Sequence, residues 1–126
     1  MNQRPLSPFM LGLYYRPQLT SMLSITHRAT GVFLSLVATP LLLWWLVTVG
    51  AGAEAYQALS ACLSGIAGKL LAAATLFSLS FHFLNGIRHL VWDTGRMLDI
   101  HAAYLSGWLV LSASVVATLV LLGVVL

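Results

Sequence analysis

Residues 81–93, FHFLNGIRHLVWD, set two histidines, an asparagine, an arginine and an aspartate into a strongly apolar stretch. Polar groups in such a setting are costly to keep, which makes them the first place to look for chemistry. At about 100° per residue on a helix, Gly86 is turned about 40° from His82, His89 about −20° and Asp93 about 20°, so the four form one stripe. Phe83 and Leu90 point elsewhere. His89 and Asp93 also stand four residues apart, close enough to pair. Two histidines on one face, with a glycine between them and no neighbouring cysteine, suit a planar iron cofactor better than zinc. The glycine leaves flat clearance, and a neutral imidazole is a standard axial ligand of haem iron. His82 and His89 are roughly 10 Å apart along the helix axis, so they cannot oppose each other across one iron. A second axial ligand must come from another helix. His82, two turns deeper in the apolar run, is the better axial candidate; His89 suits a haem propionate or Asp93.

A second polar group lies at 24–31, SITHRATG. Ser24 and Arg28 are four residues apart, with Gly31 one turn further along the same side. A quinone being reduced needs a hydroxyl or amide donor at one carbonyl and a fixed positive charge near the ring, because reduction passes through anionic states. Ser24 and Arg28 supply those types. They serve equally as a helix-turn cap and a membrane-surface anchor, and spacing alone does not separate the readings. His27 stands between them as a cofactor contact or an interfacial side chain.

The elements that must hold these groups follow from composition. Of 126 residues, 60% are hydrophobic and 7% charged, against roughly 25% charged in soluble domains. A bilayer core of about 30 Å needs about 20 apolar residues at 1.5 Å each. Segments 29–53 and 102–126 run 25 residues each without Asp, Glu, Lys or Arg, and 70–87 runs 18. The shorter run is completed by Lys69, which can snorkel, and by a polar end buried in protein. The expected fold is therefore all-α and integral to the membrane: one domain over 1–126, a cytoplasmic or interfacial tail over 1–20, and three transmembrane helices at about 21–50, 66–92 and 102–126.

Arg4, Arg16, Arg28, Arg88 and Arg96 fall on one side of this layout, against Lys69 and Glu54 on the other. The preference of basic segments for the cytoplasm then places the N-terminus inside. The net charge of +3 is spread along the chain with no basic block, so it does not indicate nucleic acid. Pro5, Pro8 and Pro17 deny the tail a continuous helix, Ser21 is the expected N-cap of the first helix, and Pro40 is the expected kink within it. Gly50, Gly52 and Gly65 bracket an expected short outer loop. The single Cys62 makes no intrachain disulfide. With Arg16 and three prolines in its first twenty residues, the chain shows no signal-peptide pattern, and the first helix is expected to target it.

With these residues in place, the chain resembles the cytochrome b membrane-anchor subunits of succinate dehydrogenase. The resemblance rests on 4–8 (RPLSP), on 24–31, and on His82, 86–90 (GIRHL) and Asp93. These motifs cover about a quarter of the residues, and the three-helix layout covers nearly all of them. The pattern His-x3-Gly-Ile-Arg-His-Leu-x2-Asp is the specific part. The resemblance implies one half of a heterodimeric anchor bundle that shares one haem b, with His82 as an axial ligand and the other axial histidine donated by a second anchor subunit. It implies that Ser24 and Arg28 line the ubiquinone site beside the iron–sulfur subunit, that His27 and Arg28 reach toward the propionates, and that Asp93 supports the quinone pocket or its proton supply. Gly86 and His89 complete the haem set. A flavoprotein subunit oxidises succinate, and this chain, not catalytic alone, forms the end of the electron path in a bacterial inner membrane or, as the second setting, a mitochondrial one. Association of complexes into a higher oligomer is left open.

Two other classes fit parts of the pattern. A haem-free structural anchor would use the same residues for helix packing. A transporter subunit would use His82, His89 and Asp93 as a proton relay. Such a relay needs polar groups across the bilayer, and the third helix offers only Ser106, Ser112, Ser114 and Thr118.

Overall fold

The computed structural model describes residues 17–125, so the motif at 4–8 and the tail prolines Pro5 and Pro8 lie outside the described residues. The first span, Leu19–Ala51, is built of α1 (Leu19–Phe33), a π-helical turn (Leu34–Ala38) and α2 (Thr39–Ala51). Pro40 explains the π turn. Its ring crowds the carbonyl one turn back and its nitrogen has no proton to donate, so the helix widens there and stays continuous. The Thr39 amide and the Thr39 hydroxyl both turn to the Leu34 carbonyl, the hydroxyl at 3.0 Å. Gln18, not Ser21, is the N-cap residue, because the helix starts three residues earlier than a cap at Ser21 requires.

The segment expected as a short outer loop is instead a helix, α3 (Ala53–Leu63), entered through Gly52 at φ 109°. Glu54 in its first turn favours the positive end of the helix dipole, and Leu59 is its buried side chain. α4 (Ile66–Asp93) and α5 (Ile100–Val125) form the second and third spans. Among the described residues these are the three helices long and apolar enough to cross a membrane. α4 ends in a tight turn in which the Gly95 amide donates to the Trp92 carbonyl at 2.8 Å, with Gly95 at φ 76°. Asp99 then caps α5 by accepting the Ala102 amide at 2.9 Å.

α4 is the central helix, packed along α5 on one side and against α1 on the other. Leu23, Phe81 and Val110, one from each span, meet in the core, with Leu19, Phe77, Leu84 and Leu111 around them. Gly107 lets α1 come close to α5: a methyl group there would stand 2.7 Å from Leu23 Cδ1. Small residues at such crossings are how membrane helices approach closely. Only 6% of the residues in the apolar window of the first span are fully buried within the chain, so much of its apolar surface is left to face lipid or a partner.

Candidate functional site

The α1–α4 crossing brings the two polar stretches into one cluster. His27 and His82 stack ring on ring, centroids 4.0 Å apart and planes within 5°. His89 tilts against the same His27 ring, 5.1 Å away at 58°. Gly86 lies under His27, where an added methyl would be 4.0 Å from the ring. The tighter clearance is at Gly31, where it would meet His82 Cε1 at 2.9 Å. The glycine stressed by the α4 stripe is thus the roomier of the two, and the one that admits the His82 ring sits on the opposite helix.

His82 is oriented by α1. Its Nδ1 lies 3.1 Å from the His27 carbonyl and 3.4 Å from the Thr30 hydroxyl. That hydroxyl is 2.9 Å from both the Thr26 and His27 carbonyls, to which it donates. A carbonyl only accepts, so Nδ1 carries the proton and Nε2 keeps the lone pair of the neutral ring. This is the arrangement found behind metal-bound histidines, where a backbone carbonyl on one ring nitrogen fixes the tautomer and leaves the other nitrogen to bind. The donor set therefore fits an axial ligand of haem. Among the described residues no group of three or more His, Cys, Asp or Glu converges on a metal-ion position. His27 Nδ1 is buried with no hydrogen-bond partner, an unsatisfied group of the kind that costs about 1–3 kcal/mol and is tolerated where function requires it.

His89 has a different partner from the one its spacing suggests. Asn85, fully buried, donates from Nδ2 to His89 Nε2 at 3.3 Å, and Trp92 packs edge-on at 5.4 Å. Among the described residues no ion pair to Asp93 forms, and Asp93 is exposed at the end of α4. With Nε2 accepting, the other His89 nitrogen is the donor, suited to an anionic group such as a propionate.

Arg88, counted in the sequence as a surface charge that reports orientation, is 5% exposed. Its Nε donates to the Ser106 hydroxyl and one Nη to the Ala103 carbonyl, both at 2.9 Å, while the other Nη is 3.5 Å from Asn85 Oδ1. The guanidinium also lies 3.8 Å over the Trp92 ring. Asn85 and Arg88 are thus part of the site's support, and the stripe missed them because they lie on the α5 side of α4. A polar residue three positions before an arginine, with serines on the next helix, was the available signal.

Ser24 is half-buried and Arg28 exposed, both on α1 at the same end of the bundle as the histidines. Neither makes a hydrogen bond within the described residues, and none joins them to Asp93.

A three-span helical membrane subunit with its histidines gathered at one end is the class that fold and site define. The family described as succinate dehydrogenase/fumarate reductase transmembrane subunit matches residues 1–121, and the chain belongs to it. It is similar to the succinate dehydrogenase cytochrome b556 subunit of Rickettsia prowazekii, 39% identical over 120 residues that cover 95% of this chain and 91% of the relative. The cytochrome b560 subunit of Reclinomonas americana is 35% identical, covering 93% and 83%. The mitochondrial cytochrome B subunit of Schizosaccharomyces pombe is 36% identical, covering 91% and 65%.

Proposed function

We propose that this chain is the cytochrome b anchor subunit of a bacterial succinate dehydrogenase, holding one haem b jointly with a second anchor subunit and forming part of the site where quinone is reduced. The observation that carries this is the His82 ring, fixed through Nδ1 on the His27 carbonyl with Nε2 left to bind. His27, stacked on His82, and His89, oriented by Asn85, complete the contacts, with Arg28 reaching the propionates and Gly86 giving the macrocycle room. The opposing axial histidine comes from the second anchor subunit. Haem b, when bound, would supply one-electron transfer.

Quinone reduction takes two electrons and two protons. Electrons from succinate arrive from the flavoprotein through the iron–sulfur subunit, which docks on the end of the bundle carrying Ser24 and Arg28. Ser24 donates a hydrogen bond to one quinone oxygen, Arg28 stabilises the negative charge that develops on the ring, and Asp93, exposed to water, passes protons to the pocket. This end, with the N-terminus, faces the cytoplasm.

The test is the reduced-minus-oxidised spectrum of the purified complex. His82→Leu abolishes or alters the bis-histidine b-type band, whereas His89→Leu retains a low-spin haem. An unchanged spectrum in His82→Leu refutes the ligand assignment, and a wild-type complex without a b-type band favours the haem-free anchor.

A further inference from the structure

At the end of the bundle opposite the histidines, α2, α3 and the start of α4 enclose a groove of about 360 Å³, closed at one side by Val125 of α5. Its walls are apolar: Leu41, Trp45, Leu59, Leu63, Leu71 and Ala72. Its rim is polar, with Lys69, the Tyr56 phenol and the hydroxyls of Ser60 and Ser64. Lys69 is exposed and forms no ion pair within the described residues. Ser64 spends its proton on the Ala61 carbonyl at 2.8 Å, but Tyr56, Ser60 and Lys69 keep theirs for an acceptor. Trp45 and Tyr56 set the depth, since Trp and Tyr collect where acyl chains meet headgroups.

We propose that this groove is a specific site for an anionic glycerophospholipid, with an acyl chain against the Leu41–Leu71 wall and the phosphate held by Lys69, Tyr56 and Ser60. The charge, the donors and the apolar wall match the three parts of such a lipid in the order in which a bilayer presents them. A phosphodiester accepts hydrogen bonds and never donates, which matches a rim made of donors. A transmembrane helix of another subunit would instead bring an apolar face to this rim and leave its donors unmet.

The experiment uses the whole complex, stripped of endogenous lipid by detergent exchange and titrated with phosphatidylglycerol, phosphatidylcholine or inorganic phosphate, with bound lipid counted by native mass spectrometry. Wild type binds phosphatidylglycerol with preference over phosphatidylcholine. Lys69→Gln weakens phosphatidylglycerol binding roughly five- to tenfold, the scale of one charge-assisted contact. Lys69→Arg restores it, Tyr56→Phe weakens it less, and all three variants keep the wild-type rate of succinate oxidation. Equal binding by Lys69→Gln and wild type overturns the proposal, as does equal binding of the two lipids. Competition by inorganic phosphate alone would show a small-anion site and overturn the lipid assignment. A partner helix captured by a crosslinker placed at Tyr56, with no bound lipid, would do the same.

Discussion

Gly31→Ala is the sharpest test of the histidine cluster. The added methyl would stand 2.9 Å from His82 Cε1 and 3.4 Å from Nδ1. Carbon contacts are most favourable at about 3.5–4.0 Å, so the ring must retreat by about half an ångström or more. It cannot retreat freely, because His27 stacks on it at 4.0 Å and the Nδ1 hydrogen bond holds it at 3.1 Å. Overpacking of this kind costs about 1–3 kcal/mol, and the strained hydrogen bond about 0.5–1.5 more. Alanine returns about 1 kcal/mol through its better helix propensity. The net is a loss of roughly 0.5–3.5 kcal/mol, concentrated at the atom that fixes the His82 tautomer. Gly86→Ala is the internal control, since its nearest neighbour in the chain, His27 Cε1, stays 4.0 Å away and propensity favours the change. The assay is thermal unfolding of the purified complex in detergent, read beside haem content and the b-type spectrum. Gly31→Ala lowers stability and shifts the spectrum. Gly86→Ala leaves the chain's stability intact, and a loss of haem in that variant alone would place the macrocycle against Gly86. A Gly31→Ala complex with wild-type stability and spectrum would refute the packing argument.

Arg28→Leu collapses quinone reduction while succinate oxidation with an artificial acceptor survives; undiminished quinone reduction in that variant sinks the quinone assignment. Arg88→Lys destabilises the complex by about 1–3 kcal/mol, because an ammonium cannot span the Ser106 hydroxyl and the Ala103 carbonyl as the guanidinium fork does. Denaturation of the complex in detergent measures it. Ser106→Ala costs less, about 0.5–1.5 kcal/mol, since Arg88 keeps the Ala103 carbonyl; a larger loss than in Arg88→Lys would reverse that ranking.

The three spans were legible because a bilayer demands long uncharged runs, and few other features of a sequence are so plainly written. α3 was not, since glycines at 50, 52 and 65 look like a loop and an 11-residue helix leaves a weak pattern. Spacing along one helix put His82, Gly86 and His89 on a common face, and the α1–α4 crossing sets His27 against them. The partners of those residues are tertiary and were not legible: the His27 carbonyl is 55 positions from His82, and Ser106 is 18 from Arg88. Arg88 looked like a surface charge because charge counts carry no direction around the helix. The His89–Asp93 pairing, allowed by spacing, lost to Asn85, which is fully buried and needs a partner for its amide.

The Arg88 fork also bears on how the chain enters its membrane. An arginine facing hydrocarbon is costly, about 2.5–3.5 kcal/mol at a helix centre on insertion scales, and here the two acceptors at 2.9 Å belong to α5. α4 therefore gains from crossing together with α5, as a helical hairpin closed at the Gly95 turn, with the cation already sheltered between them. Biogenesis and packing are joined at this residue: a ribosome-bound chain ending before Ala103 carries an arginine whose two shortest hydrogen bonds have no acceptors yet.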